Sequence, residues 1–480
     1  MSPLFASRTQ VVLKSRHRAL ALEALEPRTL LSAVSWTGAG DGKSWTNPSN
    51  WSGNAVPGSN DNVTISLGGT PTIQITSGNQ AVLSLTSTDP LSISGGTLSI
   101  NASSTIGGGL TMTGGGLYAY GAGTSVSVAG ATSVSGASLY AQNGATLTLP
   151  NLTSYVGNNS TLEANNANSV LNVSALASIT SQGGWNITAI NGGKINLSAL
   201  TSLTANPSIS LTDTGGATLL DPNLTTLSGV SATIDGTDAQ VANSWTKFVS
   251  GGLFVSGGTY SLTKLTDVDL SNLNVQHGGS LSLPGVTTFA TNENTFEASG
   301  TGSLLNVSSL TSVTYNASWG IETLSGGTVN LSGITAFGNS QRAVGITDTG
   351  GSTLLDPNVT TLTNAGVTLD GTDTQVANSW TKFLSGNLGI TGGAYSLPSL
   401  TDVDGATLNV MNGGSLSLPN LKSYAAASSS FTAQGTGSIL NVSALTNVTG
   451  GGWGITVING GKMNLSGMTA ITVPSGITDT

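Results

Sequence analysis

The sequence predicts an all-β protein whose body is a single-stranded parallel β-helix, a β-solenoid with about 22 residues in each three-strand coil. A passage of 134–135 residues occurs at least twice, so that Leu220-Asp221-Pro222-Asn223 returns as Leu355-Asp356-Pro357-Asn358. Each passage consists of about six smaller units that resemble one another. Within every unit apolar and polar residues alternate, which is the pattern of a strand with one buried face.

The repeating unit can be written x-L-x-V-x-x-G-G-x-L-x-L-P-x-L-T-x-V, as in Leu273 to Phe289. The Gly-Gly pair predicts the first corner of a coil, because glycine adopts positive φ without a Cβ clash. Pro or Ser predicts the second corner, where proline needs no partner for an amide. Counted from Leu91, about 17 coils would form a rod roughly 80 Å long. We expect a right-handed coil, the commoner hand at this coil size.

Two departures from the unit have structural interpretations. One unit carries Trp245, which returns as Trp380, and the neighbouring Phe248 and Phe383 fall where other units have Val or Tyr, which predicts that these aromatic pairs fill the core. The segment Leu304 to Val307 has one extra residue and returns twice, which predicts a β-bulge. Residues 137–203 match the last half of a passage, so the array is interpreted as duplication of a six-coil cassette.

Composition excludes several classes of protein. The 480 residues include no Cys, 66 Gly, 7% charged and 38% hydrophobic residues. Without Cys there is no disulfide framework and no thiol chemistry. The net charge of −9 is divided, because residues 1–33 contain five basic and two acidic residues and the remainder has about −12. An acidic body argues against nucleic acid and anionic lipid as partners, and no apolar run is long enough for a transmembrane helix.

Residues 34–80 are rich in tryptophan, with Trp36, Trp45 and Trp51 close together. One interpretation is a surface on which sugar rings stack. The favoured one is an N-terminal cap, because the first coil of a solenoid has an open apolar end and unpaired strand edges.

Aspartates cluster in the repeats and suggest a calcium site. Two adjacent coils contribute residues that would gather at one corner, where carboxylates and carbonyls suit Ca²⁺. The predicted ligands are Asp213, Asp235, Asp238 and their repeats Asp348, Asp370 and Asp373. The alternative is that Asp favours turns and keeps the surface soluble. The glycine- and aspartate-rich repeat of calcium-loaded β-rolls is absent.

An enzyme is the less favoured interpretation. Two carboxylates about 5–10 Å apart on an accessible face could hydrolyse a glycan, and the aspartate cluster could meet that distance. However, the solenoid has one Arg, Arg342, and one His, His277, which we interpret as a solvated turn residue. No nucleophile triad, phosphate-binding loop or Cys/His metal spacing is present. We therefore predict no catalytic residue and, apart from Ca²⁺, no cofactor.

The N-terminus carries a recognisable motif. Leu25-Glu26-Pro27-Arg28-Thr29-Leu30-Leu31-Ser32-Ala33 resembles the LEPR-XLL segment of large planctomycete proteins. The resemblance implies that residues 1–33 are a targeting segment for export. The tryptophan-rich opening is similar to segments that precede autotransporter-like, pectin-lyase-like β-helices of bacterial surface proteins. The predicted organisation is thus residues 1–33 for targeting, 34–80 for the cap and 81–480 for the solenoid, which stops in mid-coil.

The expected function is that of an exported structural or adhesive protein of the cell surface or extracellular space, which presents repeated polar faces. The alternative is a polysaccharide-binding or polysaccharide-degrading β-helix. Carbohydrate and matrix components are the expected partners. End-to-end self-association is also expected, since an open solenoid end exposes core and strand edges.

Overall fold

The computed structural model describes residues 32–68, 72–237, 244–372 and 379–472, and it confirms the predicted parallel β-solenoid. About 17 coils are stacked, and their strands pair in parallel. In the described residues, helix is limited to two short 3₁₀ segments, Pro48–Asn50 and Ser52–Asn54. The hand of the coil stays a prediction, and the targeting segment lies almost wholly outside the described residues.

The longest run of paired strands, called here the front sheet, follows the rod from end to end. Its strands, in order, are Asn79–Val82, Thr97–Ile100, Gly116–Tyr120, Ser138–Gln142, Thr161–Asn165, Trp185–Ile190, Ser202–Thr214, Thr226–Ile234, Gly252–Val255, Asn272–Gln276, Asn294–Ser299, Trp319–Leu324, Val344–Thr349, Ala365–Leu369, Asn387–Ile390, Thr407–Met411, Ser423–Gln434 and Asn447–Ile458.

A second face follows the front sheet across the glycine corner. Its strands are Ala33–Ser35, Asn62–Ile65, Ser84–Ser87, Ser104–Ile106, Ser125–Val128, Thr146–Thr148, Val170–Asn172, Lys194–Asn196 and Thr218–Leu220, then Thr259–Ser261, Ser280–Ser282, Leu304–Asn306, Thr328–Asn330 and Thr353–Leu355, then Ala394–Ser396, Ser415–Ser417, Ile439–Asn441 and Lys462–Asn464.

The third face completes each coil. Its separate strands are Ile73–Ile75, Leu91–Ile93, Leu110–Met112, Thr132–Ser135, Ser154–Gly157, Ser178–Ser181, Lys247–Val249, Thr288–Thr291, Ser312–Tyr315, Ala336–Phe337, Thr361–Thr363, Lys382–Leu384 and Ala470–Thr472. In four coils the third-face strand continues into the front sheet as one long strand, for example Ser202–Thr214. The register there shifts between Thr204 and Ile209.

Both corners lie at the residues predicted from the sequence, but the backbone conformation of the glycine corner differs from the prediction. At the glycine corner, His277 and Gly278 have positive φ (54° and 75°), so the left-handed pair is the first glycine and the residue before it. The second glycine, Gly279, is required for space, because a Cβ there would lie 3.1 Å from the Gln276 carbonyl oxygen. At the proline corner the Val286 amide donates to the Leu283 carbonyl, which closes a turn.

The predicted bulge in the unit with the extra residue is wrong. Leu304 to Asn306 pair residue by residue with the strands on both sides. The extra length lies in the preceding corner instead, where Gly300 and Gly302 both have positive φ. A corner can absorb an extra residue without breaking the strand pairing, and a strand in the middle of a ladder cannot.

The core runs as one column of Leu, Ile, Val and aromatic side chains inside the coils. Trp245, Phe248, Trp380 and Phe383 are fully buried, which confirms that these rings fill the core. Phe248 and Phe383 face inward because side chains alternate along the strands Lys247–Val249 and Lys382–Leu384, whereas the tryptophans lie just before these strands.

The three N-terminal tryptophans are also buried. Trp36 and Trp45 both contact Trp51 edge-on, with ring centroids 4.8 Å apart. The amides of Trp36 and Trp45 donate to the carbonyls of Thr64 and Gln74 at the edge of the first coil. Indoles that are at most 3% exposed offer no surface for stacking sugars.

Candidate functional site

The aspartates predicted to bind calcium lie on two different sides of the chain. Asp213 and Asp348 point into the coil and are 2% and 1% exposed. Asp235 and Asp370 lie at the glycine corner. The reason is the register: Asp213 pairs with Ile234, so that Asp235 is one position further on and faces the other way. Asp238 and Asp373 lie outside the described residues.

The two corner aspartates close the turn of the neighbouring coil. Asp235 accepts hydrogen bonds from the amide of Gly215 at 2.6 Å and from the amide of Thr237 at 3.0 Å. Asp370 does the same with Gly350 and Thr372. Burial alone would raise the pKa of both carboxyls, but the hydroxyl and amide donors outweigh it and lower the pKa. These carboxylates therefore act as structural acceptors between coils.

The inward aspartates are held by amides of their own coil. Leu219 donates to Asp213 and Leu354 donates to Asp348, each at 3.2 Å. The Ser352 hydroxyl is a further partner of Asp348 at 3.1 Å, and Ala217 stands at the equivalent place in the other repeat. In the described part of the chain no three His, Cys, Asp or Glu side chains are grouped as metal ligands. Calcium binding stays a prediction.

A cavity of about 390 Å³ lies at the corner that contains Asp221, beside Asn196, Ser244 and Lys264. Two of its polar side chains have structural partners. Asp221 accepts the indole N–H of Trp245 at 2.9 Å, and Ser244 donates to the Leu224 carbonyl at 2.6 Å. His277 is exposed at its corner, which confirms the turn interpretation.

The middle outward position of each front-sheet strand stacks on the same position of the next coil. We call this series the outer column. From the N-terminal side it consists of Ala81, Ser99, Tyr118, Tyr140, Glu163, Thr188, Thr212, Thr233, Phe254, Asn274, Glu297, Glu322, Thr347, Thr368, Gly389, Asn409, Thr432 and Thr456. Neighbouring members are about 4.8 Å apart along the rod.

Aromatic rings form the first patch of the outer column. The rings of Tyr118 and Tyr140 are stacked, with centroids 4.2 Å apart and planes 10° apart. Tyr120, 46% exposed, lies two residues along the strand. On the next coil Glu163 accepts a hydrogen bond from Gln142 at 2.7 Å. We call these five residues the tyrosine patch.

A glycine makes room for the stacked rings. A Cβ on Gly116 would lie 3.0 Å from the Tyr118 ring and 3.6 Å from the Tyr140 ring. The rings thus lie over the backbone of the sheet, and their burial raises the pKa of Tyr118 to about 12, with smaller contributions from Tyr140 and Glu163. Each ring covers one face of the other, and the rest of the pair is half-exposed on the outside of the front sheet.

A second patch follows six coils further along. Phe254 is 37% exposed, and its ring lies over Gly252, where a Cβ would be 2.7 Å from the ring. Asn274 and Glu297 follow on the next two coils, and the Asn274 amide donates to Glu297. With Asn272 and Glu322, these residues are called the phenylalanine patch. Shallow grooves of about 360 and 320 Å³ lie on either side of the Phe254 ring.

The phenylalanine patch contains a pair of carboxylates. Glu297 and Glu322 occupy paired positions on adjacent strands. Glu297 is also a hydrogen-bond acceptor for Gln276, at 3.3 Å. Burial raises the pKa of Glu297, and the charge of Glu322 raises it further against the effect of the Gln276 hydrogen bond. This pair interrupts the repeat, because Thr188 and Thr456 stand at the positions equivalent to Glu322.

Neither patch was singled out from the sequence. The available signals were Gly-x-Tyr and Gly-x-Phe at outward strand positions, where the repeats otherwise have small polar residues. An exposed large apolar side chain on a polar face is more informative than a buried one.

Comparison of the chain with protein-family models, with curated proteins and with solved structures finds no match. Among the described residues no helix is long and apolar enough to span a membrane.

Proposed function

We propose that the chain is an exported structural and adhesive solenoid of the cell surface or extracellular space, and that its front sheet binds polysaccharide. The observation that supports this proposal most is the stacked Tyr118–Tyr140 pair, whose rings pack beside Gly116 on the outer side of the front sheet. Stacked rings on the outside of the rod are a surface for adhesion, because they are only half-buried and lie outside the core.

The chemistry of the tyrosine patch suits a sugar. The apolar C–H face of a pyranose ring packs on an aromatic face, and its hydroxyl groups need acceptors and donors close by. Glu163 provides acceptor oxygens, and Gln142 and the Tyr120 hydroxyl provide both kinds of group. The arrangement of ring, amide and carboxylate within two coils supplies all three contacts.

A binding measurement tests the adhesive proposal. The secreted chain is mixed with insoluble neutral polysaccharides (a β-glucan, a mannan and chitin), and the bound fraction is measured. We expect at least one to bind, and Y118A/Y140A to weaken binding by a factor of at least about ten, equivalent to about 1.4 kcal/mol. The matched control is T347A/T368A, which changes the same outer column outside both patches. Failure to bind all three polysaccharides, or equal binding by both variants, would overturn the proposal.

Export is proposed from the resemblance of residues 25–33 to the LEPR-XLL segment. A fusion of the full chain to a reporter is fractionated in a planctomycete host, beside a version without residues 1–33. We expect the full fusion at the surface or in the medium, and the truncated fusion inside the cell. Equal distribution of the two fusions would contradict the targeting role.

Glycan hydrolysis is a second candidate, favoured by the Glu297–Glu322 pair. Adjacent strands are about 4.8 Å apart, close to the 5–5.5 Å carboxyl separation of retaining glycosidases. Glu297, with its raised pKa, would protonate the leaving oxygen while Glu322 attacks the anomeric carbon; water would then release the sugar. Release of reducing ends from a bound glycan, abolished in E322Q, would support this candidate. Binding without release, by the wild-type chain, would eliminate it.

A further inference from the structure

The tyrosine patch and the phenylalanine patch have the same design. Each begins with an aromatic ring that lies over a glycine two residues earlier, Gly116 for Tyr118 and Gly252 for Phe254. Each then ends, two coils further along, in a glutamate that accepts a hydrogen bond from a glutamine: Gln142 to Glu163, and Gln276 to Glu297. A ring followed by a restrained carboxylate is thus present twice on one face.

The spacing of the two patches is fixed by the cassette. Gln142 and Glu163 become Gln276 and Glu297 when shifted by 134 residues. Six strand pairings separate the two glutamates, which gives about 29 Å along the rod. The second full cassette, which contains Leu355 and Asn441, has Met411 and Thr432 at these positions and Gly389 in place of Phe254. The second full cassette therefore lacks both the ring and the glutamine–glutamate pair, although its coils are otherwise similar.

Three threonines, Thr188, Thr212 and Thr233, connect the patches in the outer column. We call them the threonine track. Their side chains are short, so nothing between the patches stands above the sheet in this column. Their hydroxyls can donate and accept hydrogen bonds all along the track. A linear polymer could lie on it from one patch to the other.

The charge of the front sheet restricts the class of polysaccharide that can bind there. The front-sheet strands from Gly116–Tyr120 to Trp319–Leu324 contain no Lys or Arg, while the outer column contributes Glu163, Glu297 and Glu322. A polyuronate or sulfated chain would be repelled by this face. An uncharged chain would meet ring faces at both patches and hydroxyl or carboxylate groups in between.

We infer that the two patches are paired subsites for one linear, uncharged polysaccharide chain, which lies along the outer column parallel to the rod axis. The inference rests on the proposed glycan binding and adds its geometry and ligand class. A chain long enough to reach both subsites binds the second one intramolecularly, which raises affinity by 10²–10⁴ over a single contact. A chain too short to reach both gains nothing.

The test compares chain lengths. Size-fractionated oligomers of a neutral glycan that the wild type binds are titrated calorimetrically, with one fraction shorter and one much longer than about 29 Å. We expect the long fraction to bind at least about a hundredfold more tightly. F254G and Y118A/Y140A should each reduce long-chain binding to the level of the short fraction.

A block in the threonine track separates one continuous site from two independent ones. T212R places a long charged side chain between the patches, and it should abolish the advantage of the long fraction while the short fraction binds as before. T368R, with the same change beyond the phenylalanine patch, is the matched control and should leave both fractions unaffected. Circular dichroism of each variant verifies that the coils are intact.

Three kinds of negative result have different meanings. Absence of binding to any neutral glycan overturns the proposed function. Binding that is independent of chain length, or insensitive to T212R, overturns only the paired-subsite inference. Preference for an acidic glycan of equal length would overturn the assigned ligand class.

Discussion

The rod has two full cassettes, the first with Trp245 and the second with Trp380. Their buried contacts are alike, and their outward-facing side chains differ. In the first, Trp245 donates to Asp221 at 2.9 Å; in the second, Trp380 donates to Asp356 at 2.9 Å. The corner contacts agree as well, since Tyr260 and Tyr395 accept the amides of Gly236 and Gly371 at 2.7 and 2.9 Å.

The outer column is where the copies diverge. The first full cassette has Phe254 and Glu297 where the second has Gly389 and Thr432. Because successive side chains of a strand face opposite ways, a change on the outer face leaves the core packing untouched. The two cassettes thus share the interior that specifies the fold, whereas the outward residues of the proposed binding face vary independently of it.

Removal of the two equivalent buried tryptophans should have the largest effect, and it tests whether the interiors of the two cassettes are equivalent. W245A and W380A should each cost about 3–5 kcal/mol, because a buried ring is lost and a buried carboxylate loses its donor. Urea unfolding followed by far-ultraviolet circular dichroism measures the effect. T246S and T381S, on exposed neighbours, should stay within about 0.5 kcal/mol. Unequal losses in the two cassettes would show that their cores are not equivalent.

A smaller interior difference can be tested at Ser352, where the first full cassette has Ala217. Ser352 is 1% exposed and its hydroxyl contacts the buried Asp348. S352A should therefore lower the free energy of unfolding by about 1–3 kcal/mol without loss of the fold. T353S, on the outward neighbour, is the control. An unchanged denaturation midpoint would mean that the Ser352 contact contributes nothing.

Exchange of the outer residues tests whether a patch is independent of the core. G252N/F254G copies the second full cassette into the first, and N387G/G389F makes the reverse change. We expect melting temperatures close to wild type for both. Affinity for a long neutral glycan should fall at least about a hundredfold for the first, to the level of a short oligomer. A large loss of stability in either variant would contradict the separation of fold and binding.

The smallest expected effect concerns the corner aspartates, whose contacts are the same in both cassettes. The pKa of Asp235 and of Asp370 is lowered from the ordinary value of 3.8. Their stabilisation is thus present above about pH 4 and is lost as the pH falls through the lowered pKa. D235N and D370N should flatten the acid limb of the melting-temperature profile equally. Unequal flattening would indicate that the two corners differ.

The sequence was sufficient for the fold because every coil repeats the same alternation, so each unit is independent evidence for the same strands. The match of Phe248 and Phe383 to Val or Tyr in other units also identified the aromatic pairs with Trp245 and Trp380 as core residues. The sequence pattern does not show whether an extra residue lies in a strand or in a corner. For that reason the bulge predicted at Leu304 was wrong.

The two patches could not be recognised from the sequence, because the number of residues per coil varies along the rod. Glu297 and Glu322 are paired although 25 residues apart, whereas Phe254 and Asn274 are paired at 20. No single period aligns these side chains, so the outer column becomes visible only when the register of each coil is known. The calcium prediction met this difficulty at Asp213 and Asp235, where a shift of one position puts two carboxylates on opposite faces.

The parallel pairing of single coils also determines how the rod responds to load. Backbone hydrogen bonds run along the rod axis, so a pull on its ends stretches them one coil at a time. Each coil contacts only its neighbours, and its release would add about 70 Å of extended chain from about 22 residues. A rod that adheres as proposed would lengthen stepwise under tension, and it would dissipate mechanical work before its contacts with a surface break.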